Sequence, residues 1–367
     1  MIEETGTVGG RILFTGGGTG GHVLPCVPLI QYFREKGWSV SYIGSTSGLE
    51  EGLLESLELT YYGIATGKLR RYFSLRNLSD IFWVLTGLVQ SIRILGKEKP
   101  NVVFSKGGYV SLPVVVAAWL RRIPVVAHES DVTPGLANKL ALPFLKAVCV
   151  NFEETEIRKS VFTGTPVRDS LLDGSRDAGR IVAGISREDN DRRLLLVVGG
   201  SLGADRINTV LRDSLSELLP RFQVVHICGP GKRADTLEGL AHYLQFEFVD
   251  EGWGDLLAAA DIVLSRAGAN AVYELLTLHK PNLLVPLSRQ ASRGDQIVNA
   301  ALMQKQGYSH VLYEEDLSKH SLIQALNKML DNMDEIQHQL NNFHAPNALQ
   351  RIVAVLEKYT QGLPLQP

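Results

Sequence analysis

Short apolar runs rich in β-branched residues alternate along the chain with longer stretches whose apolar residues recur at helical spacing. The first series is Arg11–Phe14, Ser39–Ile43, Asn101–Phe104 and Pro124–Ala127. A second series comprises Leu194–Val198, Val224–Cys228, Phe246–Val249, Asp261–Leu264 and Asn282–Val285. Runs this short and apolar predict strands buried on both faces, and the helical stretches between them predict crossovers. The expected class is therefore α/β, with two Rossmann-like, doubly wound parallel sheets. The junction is expected near Gly164-Thr165-Pro166-Val167-Arg168, because the polar stretch Asp169–Arg193 that follows carries few strand signals. This gives one domain over 1–165, a second over 166–345, and a helix and tail over 346–367. Asn347–Tyr359 has helical spacing and suits either half.

With 367 residues, 45% of them hydrophobic, each half can bury its own core. A net charge of −2 argues against a general nucleic-acid binder, which needs a strong basic excess. Cys26, Cys149 and Cys228 are widely spaced among apolar neighbours, which predicts reduced core thiols. Residues 1–10 lack a basic, apolar leader, and no apolar run reaches the roughly 20 residues of a membrane span. No signal peptide and no transmembrane segment are expected.

The run Arg11–Phe14 leads into Thr15-Gly16-Gly17-Gly18-Thr19-Gly20-Gly21-His22 and then a helical pattern, the layout of a phosphate loop. Gly16, Gly18 and Gly21 satisfy the dinucleotide spacing. A nicotinamide cofactor would also need an acidic residue after the next strand, and Ser41-Tyr42-Ile43-Gly44-Ser45 has none. Similar junctions recur at Ser105-Lys106-Gly107-Gly108-Tyr109, at Gly199-Gly200-Ser201-Leu202-Gly203-Ala204, and at Ser265-Arg266-Ala267-Gly268-Ala269-Asn270. One such loop is an ordinary tight turn. Recurrence in both halves favours a ligand held in a cleft, and the helix carrying Glu274 can present free amides to a diphosphate.

Taken in order, several motifs resemble the peptidoglycan GlcNAc-transferase family, the MurG-type enzymes. They are Gly17-Gly18-Thr19-Gly20-Gly21-His22-Val23-Leu24-Pro25, Lys106-Gly107-Gly108-Tyr109, His128-Glu129 with Pro134-Gly135-Leu136-Ala137-Asn138, Gly164 to Arg168, Gly199 to Ala204, and Arg266 to Ala269 with Glu274. The resemblance implies a GT-B fold with two domains facing a central cleft. It implies inverting transfer of GlcNAc from UDP-GlcNAc to an undecaprenyl-diphosphate-linked muramyl pentapeptide, in peptidoglycan synthesis. It places the acceptor on Gly17, Gly18, Gly107, Gly108 and Tyr109. The donor falls on Thr19, Gly20, Gly21, Asp131, Arg168, Ser201, Val249, Arg266, Gly268, Ala269, Glu274, Asp295 and Gln296. Glu274 would accept from the ribose hydroxyls, and Arg168 and Ser201 would lie by the diphosphate. Another GT-B enzyme, either a glycolipid synthase or a UDP-GlcNAc 2-epimerase, stands as an alternative, as does a non-catalytic UDP-sugar-binding regulator.

The chain departs from the family where His-Glu-Gln-Asn reads His128-Glu129-Ser130-Asp131 and where Asp-Arg-Gln-Gln reads Arg293-Gly294-Asp295-Gln296. An ionised Asp only accepts hydrogen bonds, whereas an amide also donates, so a changed envelope substrate remains open.

His22 is the candidate general base, because imidazole titrates near working pH at about 6.5. Its other reading is a hydrogen-bond partner of the acceptor diphosphate or the loop. Glu129 either orients or replaces it, or is a buried structural carboxylate. The string Asp189-Asn190-Asp191 reads as a solvated loop rather than a metal site. Helix N-termini with Arg168 or Arg266 supply positive potential instead, so the expectation is no metal and no cofactor beyond the UDP-sugar substrate.

Lys68, Arg70, Arg71 and Phe73 precede Phe82 and Trp83, and Trp119 precedes Arg121 and Arg122. Basic residues beside aromatics suit an anionic leaflet, whereas the alternative makes the aromatics core residues of an amphipathic helix. With the family's lipid acceptor, the first reading implies a peripheral protein at the cytoplasmic face of the cell membrane.

Overall fold

The computed structural model describes residues 9–67, 76–185, 192–249 and 251–360, with side chains taken from residue 82 onward in the helix that opens at Arg76. The chain divides between Pro166 and Val167 into two units, and from Pro346 it returns to the first.

The first unit strings together β1 (Arg11–Thr15), β2 (Ser39–Ser45), β3 (Thr60–Ile64), β4 (Val102–Ser105), β5 (Val125–Glu129), β6 (Ala147–Val150) and β7 (Ser160–Phe162). They lie side by side in the order β3-β2-β1-β4-β5-β6-β7. Every pairing is parallel. The order reverses at β1, so β1 and β4 flank the switch point at which open α/β sheets bind ligands. Alternate residues of β1 feed opposite faces: Ile12 and Phe14 join a cluster with Phe33, Trp38 and Phe104, while Leu13 joins Ile43, Val103 and Val115. The helix Ala348–Glu357 completes the first of these clusters with Ile352, Val353, Val355 and Leu356. That apolar stripe is why the chain end packs on the first unit.

The second unit contains β8 (Arg193–Val198), β9 (Phe222–Ile227), β10 (Tyr243–Phe246), β11 (Ile262–Ser265), β12 (Asn282–Leu284) and β13 (His310–Val311). Their order, β10-β9-β8-β11-β12-β13, places β8 beside β11 at a second switch point. All of these pairings are parallel as well.

Most strand positions agree with the sequence pattern, but β10 lies three residues before the expected Phe246–Val249. Tyr243 and Gln245 are the buried residues there, whereas Phe248 is exposed. The polar stretch after the junction folds as the short helices Asp169–Leu172 and Arg176–Val182, the second capped by Ser175 Oγ, which accepts from the Ala178 N–H at 3.3 Å.

Candidate functional site

In the first unit the glycine-rich loop leaves the C-terminal end of β1 and turns through a short 3-10 helix, Gly20–His22. Gly18 has φ +92°, and a Cβ there would meet Tyr109 Cε1 at 2.5 Å. Gly108 has φ +81°, and its Cβ would meet the Gly17 carbonyl oxygen at 2.2 Å. The β1 and β4 loops therefore lie in direct backbone contact, which only glycine permits. This brings Gly17, Gly18, Gly107, Gly108 and Tyr109 together. Thr19 Oγ1 lies 2.9 Å from His22 Nδ1, tying Thr19, Gly20 and Gly21 to the imidazole. Tyr42, fully buried, donates to the Gly16 carbonyl at 3.1 Å. Burial holds its hydroxyl well above the usual phenol range, so it stays a donor.

One anchor of this loop has no signal in the glycine motif. Glu50 is fully buried; its Oε1 accepts from the Gly18 N–H at 2.7 Å and its Oε2 from Ser45 Oγ at 3.1 Å. Only the fold, by laying β2 beside β1, makes it a neighbour. Glu50→Ala would leave both donors buried without their acceptor. The first unit is then expected to lose about 2–4 kcal/mol of stability in a urea titration, and Glu50→Gln less, because its amide oxygen still accepts.

Beyond β5, Glu129 is buried and both its oxygens are engaged. Oε1 accepts from the Asp131 N–H at 3.1 Å, and Oε2 from the Gly135 N–H at 2.8 Å and Asn138 Nδ2 at 2.9 Å. This is the geometry of a carboxylate that holds a turn. Lys106 and His128, which stand in the motifs without an assigned role, meet behind it. Lys106 Nζ donates to His128 Nδ1 at 2.9 Å, so Nε2 carries the proton and donates to the Gly164 carbonyl at 2.9 Å. Burial, then the nearby ammonium, pushes the His128 pKa well below its ordinary value, so the ring is neutral.

On the same unit, Phe82 and Trp83 are 63% and 47% exposed, with Leu85 and Val89 on the same helix also exposed. Trp119 and Leu120, at the end of the helix Ser111–Leu120 packed against it, are exposed too. The amphipathic-core alternative for Phe82 and Trp83 therefore fails. Arg121 Nε donates to the Ile92 carbonyl at 2.6 Å, and Arg122 follows it in the left-handed region with φ +59°. Lys68, Arg70, Arg71 and Phe73 lie outside the described residues.

In the second unit the β8 loop carries Ser201 exposed, between Gly200 at φ +88° and Gly203 at φ +69°. The loop is braced from beneath by Asn208, whose Nδ2 donates to the Cys228 carbonyl at 2.8 Å while His226 Nε2 lies 2.9 Å from its Oδ1. After β11, Gly268 opens the helix Ala269–Thr277, and the space beside its Cα is clear. Glu274 on that helix is partly accessible but densely surrounded. Desolvation pushes its carboxyl up to about 7 against the pull of Arg168. Arg168 Nε is buried without a hydrogen-bond partner. The other candidate cation, Arg266, is already engaged, with Nη2 2.5 Å from Glu314 Oε1 and Nη1 donating to the Val285 carbonyl at 3.2 Å. Burial raises Glu314, but hydrogen bonds from Arg266 and the Ser288 N–H outweigh it and hold the carboxyl below its usual range.

Asp295 starts the helix Asp295–Lys305 and faces Arg293 at 3.3 Å, while Gln296 Oε1 accepts from the Leu287 N–H at 3.0 Å. Val249 sits just past β10. Asp189, Asn190 and Asp191 lie outside the described residues. Among the described residues no His, Cys, Asp and Glu side chains cluster to hold a metal, and no helix is long and apolar enough to cross a membrane. The three cysteines are buried and free.

The sequence matches two family models: the glycosyltransferase family 28 N-terminal domain over residues 12–150 and the glycosyltransferase family 28 C-terminal domain over residues 194–352. A Clostridium tetani protein named UDP-N-acetylglucosamine--N-acetylmuramyl-(pentapeptide) pyrophosphoryl-undecaprenol N-acetylglucosamine transferase is 47% identical, over 95% of this chain and 98% of its own. A Legionella pneumophila (strain Lens) protein of the same name is 48% identical, over 95% and 96%. Among solved structures, Acinetobacter baumannii MurG superposes with a TM-score of 0.73 at 25% identity, over 95% of this chain and 99% of its own. A Neisseria meningitidis UDP-GlcNAc 2-epimerase shares the fold, with a TM-score of 0.67 at 15% identity.

Proposed function

The chain belongs to glycosyltransferase family 28, and from that premise we propose that it transfers GlcNAc from UDP-GlcNAc to the undecaprenyl-diphosphate-linked muramyl pentapeptide, with inversion at the anomeric carbon. Near-half identity over almost the full length of enzymes bearing that name carries the reading. The two glycine loops in contact around Gly17 and Gly108 suit the diphosphate of the acceptor. His22, held by Thr19, takes the proton from the attacking hydroxyl. In the second unit Glu274 accepts from the ribose hydroxyls. The amides that open its helix, with Ser201 and Arg168, stabilise the UDP that leaves with the bonding electron pair. These groups supply the positive potential without a metal ion. Val249, Asp295 and Gln296 complete the donor side.

The test is sugar transfer to a short-chain lipid acceptor with UDP-GlcNAc, UDP-GalNAc and UDP-glucose compared. Selective use of UDP-GlcNAc supports the reading, and selective use of another donor contradicts it.

The exposed cluster of Phe82, Trp83, Leu85 and Trp119 supports peripheral attachment to the cytoplasmic leaflet, where the acceptor's lipid resides. Phe82→Ser with Trp83→Ser is expected to weaken co-sedimentation with phosphatidylglycerol vesicles by roughly tenfold or more, since each aromatic contributes on the order of 1–2 kcal/mol when buried. Transfer to a water-soluble acceptor should not change. Unaltered vesicle binding would remove this face from the account.

A further inference from the structure

Cys228 follows β9, and its carbonyl oxygen can only accept a hydrogen bond. Asn208 therefore turns its amide nitrogen towards it, with Nδ2 at 2.8 Å. That leaves Asn208 Oδ1 facing His226 Nε2 at 2.9 Å, so Nε2 is the nitrogen that carries the ring proton. Burial, then the charge of Arg212, pushes the His226 pKa down to about 3, and the ring is neutral. Its Nδ1 is then a bare acceptor, to which the Tyr243 hydroxyl donates at 2.9 Å. Burial holds that hydroxyl above the usual phenol range, and Arg212 beside it has no lone pair to take the proton. Tyr243, His226 and Asn208 are all buried, and their bonds run one way to the Cys228 carbonyl. That carbonyl in turn carries the β8 loop. Gly203 stands at φ +69°, and a Cβ there would meet the Cys228 oxygen at 2.0 Å. The Gly203 N–H donates to the Gly200 carbonyl at 2.9 Å, closing the turn that presents Ser201.

We propose that His226 is a positioning residue for the nucleoside diphosphate: as the Nε2–H tautomer set by Tyr243 it locks the Asn208 amide, which fixes the Cys228 carbonyl under Gly203 and so holds the Ser201 turn in place. Were the Nε2 proton missing, the Asn208 oxygen would be buried without a donor. An amide flipped to escape that would set its oxygen against the Cys228 oxygen, two acceptors face to face. Either way the support beneath Gly203 loosens. The relay thus acts on the ligand through the loop and touches no reacting atom.

The ligand half of this inference rests on the transfer reading, whereas the direction of the relay does not. The experiment follows the His226 ring nitrogens by ¹⁵N NMR in the unaltered full-length protein, and measures UDP binding by calorimetry and steady-state transfer for His226→Phe, His226→Gln and Tyr243→Phe. A protonated Nε2 and a bare Nδ1 are expected throughout pH 6–8, and the reverse tautomer overturns the proposal. His226→Phe is expected to weaken UDP binding about tenfold and to raise KM for UDP-GlcNAc alike, with kcat and the acceptor KM within about twofold of the unaltered values. His226→Gln, whose amide can still donate to Asn208, should recover to within roughly threefold. A histidine that only fills the core would lower the active fraction, and with it kcat, rather than move the donor KM alone. Unaltered UDP affinity in His226→Phe, or no recovery in His226→Gln, overturns the positioning role. If His226→Phe fails to fold, Tyr243→Phe decides instead, with UDP binding expected to weaken about threefold and an unchanged affinity overturning the role. UDP binding without sugar transfer would count against the transfer reading and leave these outcomes to judge the relay. Should the unaltered protein bind no UDP, the ligand half is overturned as well, and the tautomer alone judges the relay's direction.

Discussion

His22→Ala is expected to lower kcat by about 10²–10⁴-fold, the contribution of a well-placed general base. Thr19 Oγ1 lies 2.9 Å from Nδ1. With Nδ1–H donated to that oxygen, Nε2 is the nitrogen that the proposed base would use. Thr19→Val removes this orientation while leaving the imidazole in place, so a smaller loss of roughly tenfold in kcat is expected. His22→Ala should keep its affinity for UDP-GlcNAc, because Glu274, Ser201 and Arg168, the groups proposed to hold the nucleotide, lie in the second unit. Steady-state transfer with varied acceptor separates the two readings of His22. A fall in kcat marks the base, whereas a raised KM for the acceptor with kcat preserved marks a group that only holds the diphosphate.

The second large effect concerns Glu274 and pH. Desolvation raises its carboxyl from 4.5 to about 7. Ribose hydroxyls donate best to the ionised form, so affinity for UDP-GlcNAc should rise by about tenfold between pH 6 and 8 in calorimetric titrations. Glu274→Gln should flatten that dependence and bind about tenfold more weakly at pH 8. Stability of the unliganded protein runs the other way. Below the unfolded value of 4.5 the carboxyl is protonated in both states and costs nothing. As pH rises towards 7 the unfolded chain ionises first, and the folded state loses on the order of 1–3 kcal/mol, fully so above 7. Glu274→Gln should therefore exceed the unaltered protein in urea resistance at pH 8 and match it near pH 4.5. A pH-independent affinity in the unaltered protein would remove Glu274 from the ribose.

The central strands were legible because burial on both faces makes them nearly continuous apolar runs, as in β1 and β8. The edge strands were not: β7 is the exposed run Ser160–Phe162, and β13 has only two residues. β10 was displaced in the sequence reading because Phe248 mimics a buried strand residue yet lies in solvent. The glycine loops announced themselves through spacing, but their supports did not. Glu50 is 32 residues from the amide it accepts from, and Lys106 and Ser130 are 24 residues apart. Such partners come together only through strand order, which a linear pattern does not contain. Arg266 was legible as a cation near the donor loop, whereas its neutralisation by Glu314, 48 residues on, was not.

The most direct test of the account is one reaction followed by NMR: UDP-GlcNAc with the protein in EDTA, before and after addition of the short-chain muramyl-pentapeptide diphosphate lipid. The account predicts no change without the lipid, then UDP release matched by a β-linked GlcNAc on the lipid. Formation of UDP-ManNAc without acceptor, or no lipid-linked product despite UDP-GlcNAc binding, would contradict it.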